Sequence, residues 1–435
     1  MKKIVGLFIC MLLIITVIPA TGNIKEISTN NEINNKINPL ADDKWMKLYD
    51  NNNNYDRGFS TQQTSDGGYI VLGVTGDYDE HNMDFWLIKT DSSGNKLWDK
   101  TFGGDDYDYS SKVIQTNDGG YVLIGNTCYN GPGNEDIWLI KTDSEGNKIW
   151  DKIYGGLDYD VGNDVKQTND GGFILIGHTS SYGAGKRDVW LIKTDSEGNK
   201  IWDKTFGGTS TDGGYLIQQT NDNGYILLCE TEKIETLQDI WLIKTDSNGE
   251  MQWNKTFGGP NRDYAGSLQQ TADGGYIVLG SINKVVTFCD IWLIKTDSNG
   301  EILWDKTFPI IGDNTGRSIQ KTSDGGYIIL GDIPDFNSVN ALLIKTDSSG
   351  VEMWRKSYGG PFFDVAYSIQ QTTDGGYILT GEYSTKLFQD PDLWLVKTDE
   401  NGNVPNNFAK STFKYWMNNL FPNLFKILEK LLDLN

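Results

Sequence analysis

A block of about fifty residues is written seven times along this chain. A period of that length means one supersecondary unit repeated, with each copy unable to bury its apolar face alone. The most regular stretch reads Asp136-Ile-Trp-Leu-Ile-Lys-Thr-Asp-Ser-Glu-Gly-Asn-Lys-Ile-Trp150. Its Trp-Leu-Ile-Lys-Thr-Asp core begins at Trp86, Trp138, Trp190, Trp241 and Trp292. It becomes Leu342-Leu-Ile-Lys-Thr-Asp in one copy and Trp394-Leu-Val-Lys-Thr-Asp in the last. A second series of tryptophans runs Trp45, Trp98, Trp150, Trp202, Trp253, Trp304 and Trp354, in steps of 53, 52, 52, 51, 51 and 50 residues.

Within the second copy, Ser111–Thr116, Tyr121–Gly125, Asp136–Lys141 and Lys148–Tyr154 read as four short strands. Turn chemistry separates them: Asn117-Asp-Gly-Gly120, Asp143-Ser-Glu-Gly146-Asn, and Gly155-Gly156 into the next copy. Four strands per fifty residues, with a turn signal at each junction, predict a propeller blade. Tyr-Val-Leu-Ile and Ile-Trp-Leu-Ile are continuous apolar runs, as expected of strands covered on both faces. A linear β-solenoid is the rival, and the ends of the array decide against it. Lys44–Tyr49 matches only a fourth strand, and the last copy, ending near Asn403, lacks its own. Joining them predicts an all-β fold: a seven-bladed β-propeller of four-stranded blades over residues 43–403, closed by Lys44–Tyr49 pairing with Leu393–Lys397. Closure also removes exposed sheet edges.

Asp143-x-x-Gly146-x-x-x-Trp150 resembles the tryptophan-docking motif of quinoprotein-like propellers, with one residue fewer between Asp and Gly. The Gly-Gly-Tyr-Ile-Val-Leu-Gly strand is kelch-like. As a whole, residues 44–403 resemble the repeats of exported bacterial and archaeal propeller proteins. The resemblance implies a fold and little about function. It does not bring the quinoprotein enzymes with it, because their vicinal cysteine pair is missing here. The tighter Asp-box of sialidases is missing too.

Outside the repeats, Lys2 and Lys3 precede an apolar run from Ile4 to Ile18 and a small-residue stretch ending at Gly22. Residues 1–22 therefore read as a secretory signal peptide and 23–42, rich in Asn, Ile and Lys, as a flexible leader. The expected destination is the cell surface or the medium. Residues 404–435 form an amphipathic tail: Ala409–Asn419 and Pro422–Asp433 read as two short helices, with Phe413, Trp416, Met417 and Leu420 at helical spacing. They are expected to pack on the propeller, or to contact a membrane surface or another protein through 409–433. A net charge of −21 argues against nucleic acid as a partner. Beyond the signal only Cys128, Cys229 and Cys289 remain, so no disulfide framework is expected. His81 and His178 are the two histidines, and none of the common catalytic motifs occurs. No catalytic residue and no cofactor is assigned, and the propeller is expected to be monomeric.

Two constellations bear on function. Eight residues before each repeat's Gln-Thr or Lys-Thr threonine stands Asp56, Asp108, Asp160, Asp212, Asp263, Asn314 or Asp364, in the loop entering the first strand. If that strand is innermost, the seven side chains encircle one mouth of the channel. Loop staples accepting backbone N–H groups are one reading. A cation held by several of the six carboxylates is the other, and calcium suits oxygen ligands. The second constellation follows from topology. Loops after the second and fourth strands share one face, vary in sequence, and carry Tyr78, Tyr107, Tyr129, Tyr159, Tyr182, Tyr264, Phe288, Phe336, Phe362, Tyr383 and Phe388. Loops on a rigid scaffold are where binding residues concentrate. The expectation is a non-catalytic exported binding or scaffold protein that takes a protein or glycan on this face. The alternative is a carbohydrate-active enzyme or lectin acting on surface polysaccharide.

Overall fold

The computed structural model describes residues 44–51, 54–77, 82–128, 131–232, 237–285, 288–310, 312–335, 338–360, 362–384 and 390–405. The stretches expected to be a signal peptide, a leader and a helical tail lie outside the described residues, apart from Val404 and Pro405.

Every repeat forms a four-stranded antiparallel sheet, and seven such sheets make a ring. Blade two shows the pattern, with strands Asp108–Gln115, Tyr121–Thr127, Asp136–Thr142 and Lys148–Tyr154. The second and third strands are buried along their whole length, because neighbouring blades cover both faces. The fourth strand is exposed or half-buried until its last residue, Tyr154, as the outer rim must be. First strands of adjacent blades contact one another all round the ring, so they are innermost. Blade seven consists of Asp364–Gln371, Tyr377–Tyr383 and Asp392–Thr398 with Trp45–Tyr49 as its fourth strand. The closing register runs from Trp45 opposite Lys397 to Tyr49 opposite Leu393.

What joins blade to blade is an indole on a glycine. Gly146 has φ +77, and a methyl group on its Cα would lie 2.6 Å from Cζ3 of Trp98 on the preceding blade. Only a residue without Cβ lets the ring lie that close while adopting the left-handed conformation. Asp143 shapes the turn by accepting the N–H groups of Glu145 at 3.0 Å and Asn147 at 2.8 Å. The same Trp98 meets Tyr121 edge-on at 6.0 Å. The arrangement recurs round the ring and across the seam, where Trp45 of blade seven docks on Gly94 of blade one and Trp354 on Gly402.

Glutamines tie the innermost strands together. The backbone N–H of Gln115 donates to Gln62 at 2.8 Å, that of Gln270 to Gln218 at 2.7 Å, and that of Gln63 to Gln370 at 2.6 Å. Gln269 and Gln320 make the equivalent bonds, whereas Ile114 and Lys166 occupy the corresponding places in blades two and three. Each third strand carries a buried lysine. In blade two Lys141 donates to the carbonyl of Thr142 at 2.9 Å and pairs with Asp118 of the Asp-Gly-Gly turn at 2.9 Å. Burial acts against ionisation of Asp118, but the Thr116 hydroxyl and Lys141 outweigh it and hold the carboxyl near 2.

The docking contact makes a prediction. Gly146→Ala should cost about 2–5 kcal/mol, the sum of left-handed strain of about 1–2 kcal/mol and overpacking of about 1–3 kcal/mol. Gly119, in the Asp-Gly-Gly turn, has φ +85, and a methyl group on its Cα would meet no described atom within 4 Å, so Gly119→Ala should cost only the strain, about 1–2 kcal/mol. Urea unfolding of the two variants measures the difference; equal costs would mean that the indole does not dock in solution.

Candidate functional site

The ring topology puts the loops after second and fourth strands on one face, as the sequence predicts. On the other face the turns are near-copies: the Asp of each Asp-Gly-Gly or Asp-Asn-Gly turn caps its own loop, at 3.0 Å for Asp118 to Gly120 N and 3.0 Å for Asp222 to Gly224 N. The asymmetry between faces is therefore chemical as well as topological.

The aspartate series sits on the variable face, and its side chains turn away from the channel. Asp56, Asp108, Asp160, Asp212, Asp263, Asn314 and Asp364 are all buried, and none lines the central cavity. Asp108, Asp160, Asp212 and Asp364 are the first residues of their strands rather than loop residues. Each carboxylate accepts the N–H of the second glycine, or its equivalent, in the incoming turn: Gly104 to Asp108 at 3.1 Å, Gly156 to Asp160 at 2.7 Å, Gly208 to Asp212 at 2.9 Å and Gly259 to Asp263 at 2.6 Å. Gly360 donates to Asp364, and Asn51 to Asp56 at 2.7 Å. Asn314 reverses the polarity, donating to the carbonyls of Ile310 and Gly312 at 2.8 Å. The first glycine of the turn makes room for a second carboxylate. A methyl on Gly103 would lie 1.7 Å from Oδ1 of Asp84 and 2.8 Å from Oδ2 of Asp108. Asp84 is the third residue of blade one's third strand, Asn82–Thr90, so the blade junction carries a facing pair of acids.

These junctions are electrostatically costly. Burial, opposed by hydrogen bonds and reinforced by Asp84, pushes Asp108 up to about 6. Burial, with Asp50 and Asp392 adding repulsion, pushes Asp56 up to about 7, and burial raises Asp364 to about 7. Among the described residues, no three His, Cys, Asp or Glu side chains converge as a group that could hold a metal ion.

Of the aromatic residues expected on the variable face, Tyr159 and Tyr182 are well exposed and Tyr264 is at the margin, while Tyr107 and Phe362 are partly covered. Tyr182 leans on Trp190 at 5.2 Å and donates to the carbonyl of Gly155 at 2.8 Å. Tyr383 lies against Trp394 at 5.7 Å, so much of its surface serves blade packing. Tyr107 stacks on Tyr109 at 5.3 Å. Tyr78, Tyr129, Phe336, Phe388 and the side chain of Phe288 lie outside the described residues. Leu157, 81% exposed, stands between the Gly155–Gly156 turn and Tyr159. The hydroxyl of Ser181 accepts the N–H of Asp158 at 3.0 Å and thereby joins that turn to the loop of Tyr182. Leu157, Tyr159 and Tyr182 thus form an exposed apolar cluster on two linked loops.

The channel wall is a feature that the sequence reading missed. Each first strand slips register by one residue beside its start, as between Gly58 and Ser60 or Gly162 and Asp164. A β-bulge of this kind re-aims a side chain. The extra residue, three after the aspartate position, is Phe59, Ser111, Asn163, Tyr215, Gly266, Arg317 or Tyr367, and all seven line a cavity of about 520 Å³. This is the least uniform position of an otherwise repetitive strand, and that irregularity was the available signal. Arg317 lies 4.9 Å from the Tyr367 ring and pairs with Asp332 at 2.6 Å. Tyr367 donates to Glu382 at 2.9 Å, and Glu382 also pairs with Arg57. His178 is buried near Arg187, and burial first, then that charge, lowers it to about 3.

The raised carboxyls set a pH dependence. In the unfolded chain they ionise near 4, whereas folded Asp56, Asp108 and Asp364 keep their protons until pH 6–7. Their contribution is fully present below about pH 4 and lost as pH rises through 6–7, at about 1.4 kcal/mol for each unit of upward displacement. Asp66, Asp118, Asp222, Asp273 and Asp324, held near 2, act oppositely and lose their contribution as pH falls below about 4. Stability should therefore peak near pH 5 and decline toward pH 8, with a shallower decline in Asp364→Asn. Denaturant midpoints at pH 5, 6.5 and 8 measure this; a rise from pH 5 to 8 would show that the junctions accommodate ionised pairs.

No protein-family model matches this chain, and neither does any curated protein. Solved propellers do resemble it. The acylaminoacyl peptidase of Pyrococcus horikoshii aligns with a TM-score of 0.48 at 12% identity, over 80% of this chain and 53% of that one. The chain thus spans about half the length of that peptidase. Sqt1 of Chaetomium thermophilum, bound to the N-terminus of the ribosomal protein L10, aligns at 0.46 and 12% identity, over 79% of this chain and 97% of that one. The WD40 domain of Neurospora crassa Pan2 aligns at 0.49 and 8% identity, over 79% and 88%. These are neighbours in fold alone.

Proposed function

We propose that this chain is an exported, non-catalytic binding or scaffold propeller that takes its ligand on the variable-loop face. One observation carries the reading: the ring has one face of near-identical turns and one face on which the blades differ. Selection for folding alone has no reason to keep the two faces so unlike. The exposed cluster of Leu157, Tyr159 and Tyr182 lies on the varied face and combines a large aliphatic surface with two amphipathic rings. Such clusters, rimmed by polar residues, suit the centre of a protein-binding patch. Two neighbouring tyrosines also suit the stacking face of a sugar, so a glycan is the second ligand class. Export rests on Lys2, Lys3 and the apolar run before Gly22. The quinoprotein-like and kelch-like character of the repeat agrees with an exported propeller of this kind.

The experiment is a glycan array and a hydrolase screen on the mature chain, repeated with a Leu157→Asp, Tyr159→Ala variant. Both substitutions are on exposed side chains and should shift stability by less than about 0.5 kcal/mol. A ligand bound without turnover, and weakened at least tenfold by the double substitution, is the expected result. Turnover abolished by one carboxylate substitution would replace the reading with a carbohydrate-active enzyme.

A further inference from the structure

We infer that the central channel is a second binding site, built for a small molecule carrying a carboxylate or phosphate group, with the Lys112 amine as its anchor. This goes beyond the variable-face reading and does not depend on it.

The protein as a whole carries a net charge of −21, yet its channel has the opposite sign. Among the described residues, the cavity of about 520 Å³ is lined by Lys112, Lys166 and Arg317 against a single acid, Asp164. That acid is already saturated. It accepts Val165 N at 3.0 Å, Ile217 N at 3.1 Å and the Lys166 amine at 2.6 and 2.7 Å. Arg317 is neutralised from behind the wall by Asp332. Lys112 is different: its backbone pairs with Ile124, but among the described residues its amine forms neither a hydrogen bond nor an ion pair. Burial first, then Lys166, bring its amine below the ordinary lysine range, with Asp164 opposing. A cation in such surroundings lacks the counter-charge that buried charges require.

Comparison with the other blades shows that Lys112 does not make the staple that other residues make at its position. Ser60 and Ser368 stand there in blades one and seven, and each accepts a backbone N–H from the next blade, that of Val113 or of Thr61, at 3.3 Å. Asp164 does the same for Ile217. An ammonium group has no lone pair to offer, so Lys112 gives up this staple. Blade four has Leu216 at the same position, so the fold does not need a polar group there. Beside Lys112, the glutamine row is also interrupted, by Ile114 and Lys166. The local departures from the repeat therefore fall together on the wall of blades two and three and make it cationic. Phe59 and Tyr367, 5.2 Å apart, offer an aromatic surface in the same cavity for the body of the ligand. A cavity of this size falls within the range of small-molecule sites, about 300–1,000 Å³.

The test is calorimetric titration and thermal denaturation of the mature chain with inorganic phosphate and with citrate, against sodium chloride at matched ionic strength. The wild type should bind at least one of the two and melt several degrees higher than in chloride. Phosphate alone would identify a phosphoryl ligand, and citrate alone a carboxylate. Lys112→Leu, which installs the side chain that blade four carries, should weaken binding at least tenfold with an unchanged circular dichroism spectrum. Lys112→Ser, the residue of blades one and seven, serves as the second variant and should lose binding equally. Failure of both anions to bind, or variants that respond like the wild type, would overturn the proposal. Neither result would touch the variable-face reading, whose substitutions lie on the outer loops.

Discussion

The contact between an indole and a bare backbone holds this ring together. A tryptophan on each fourth strand reaches sideways onto the next blade and covers a glycine that no other residue could replace without displacing the ring. A blade isolated from its neighbours would expose that indole and both apolar faces of its middle strands. The sheets are thus stable only as a closed set, which is the general condition of a repeat architecture. The other tryptophans, on third strands, obey a related rule. The indole N–H of Trp138 donates to Asp151 at 3.0 Å and that of Trp292 to Asp305 at 2.9 Å. Where Leu342 replaces the tryptophan, Arg355 replaces the aspartate, because no N–H remains to be satisfied. In blade seven the acceptor's place is taken by Met46, and the buried N–H of Trp394 has no partner among the described residues.

Much of this was legible in the residues. Regular spacing, glycine-rich turns and unbroken apolar runs specify blades, and the mismatched ends of the array specify how they close, to the register of Trp45–Tyr49 against Leu393–Lys397. These features depend on local chemistry that repeats seven times. The direction of side chains on the innermost strands depends instead on a bulge, which costs one residue of register and leaves no mark in periodicity. For that reason the aspartates read as a ring around the channel mouth lie between blades, while Phe59, Tyr215, Arg317 and Tyr367 face the channel. The partner acids at the junctions, Asp84 among them, were equally hidden, since only three-dimensional packing brings a third strand against the next blade's first.

Uniformity and variation are distributed with a logic of their own. Positions that touch the neighbouring blade are near-copies because every junction poses the same packing problem. Positions that the packing between blades does not dictate are freer to differ: the outer loops of one face, the bulge residues, and the channel-wall positions of Lys112, Asp164 and Lys166. The propeller thereby separates the residues that fold it from those that give it individuality, and the latter collect along one face and the axis.

The seam between Trp45–Tyr49 and Leu393–Lys397 also has a consequence in time. It joins parts of the chain that lie far apart in sequence; Lys44 reaches Asp399, 355 residues away. The entropic cost of such a long loop grows only with the logarithm of its length, but the wait for the partner does not shrink. The earliest-made strand must stay unpaired until the last sheet has emerged, and until then Gly94 of blade one has no indole to cover it. Once spliced, each end of the domain is held in the sheet that contains the other. Fraying from one terminus is then blocked, and resistance to proteolysis becomes a matter of how rarely this one seam opens.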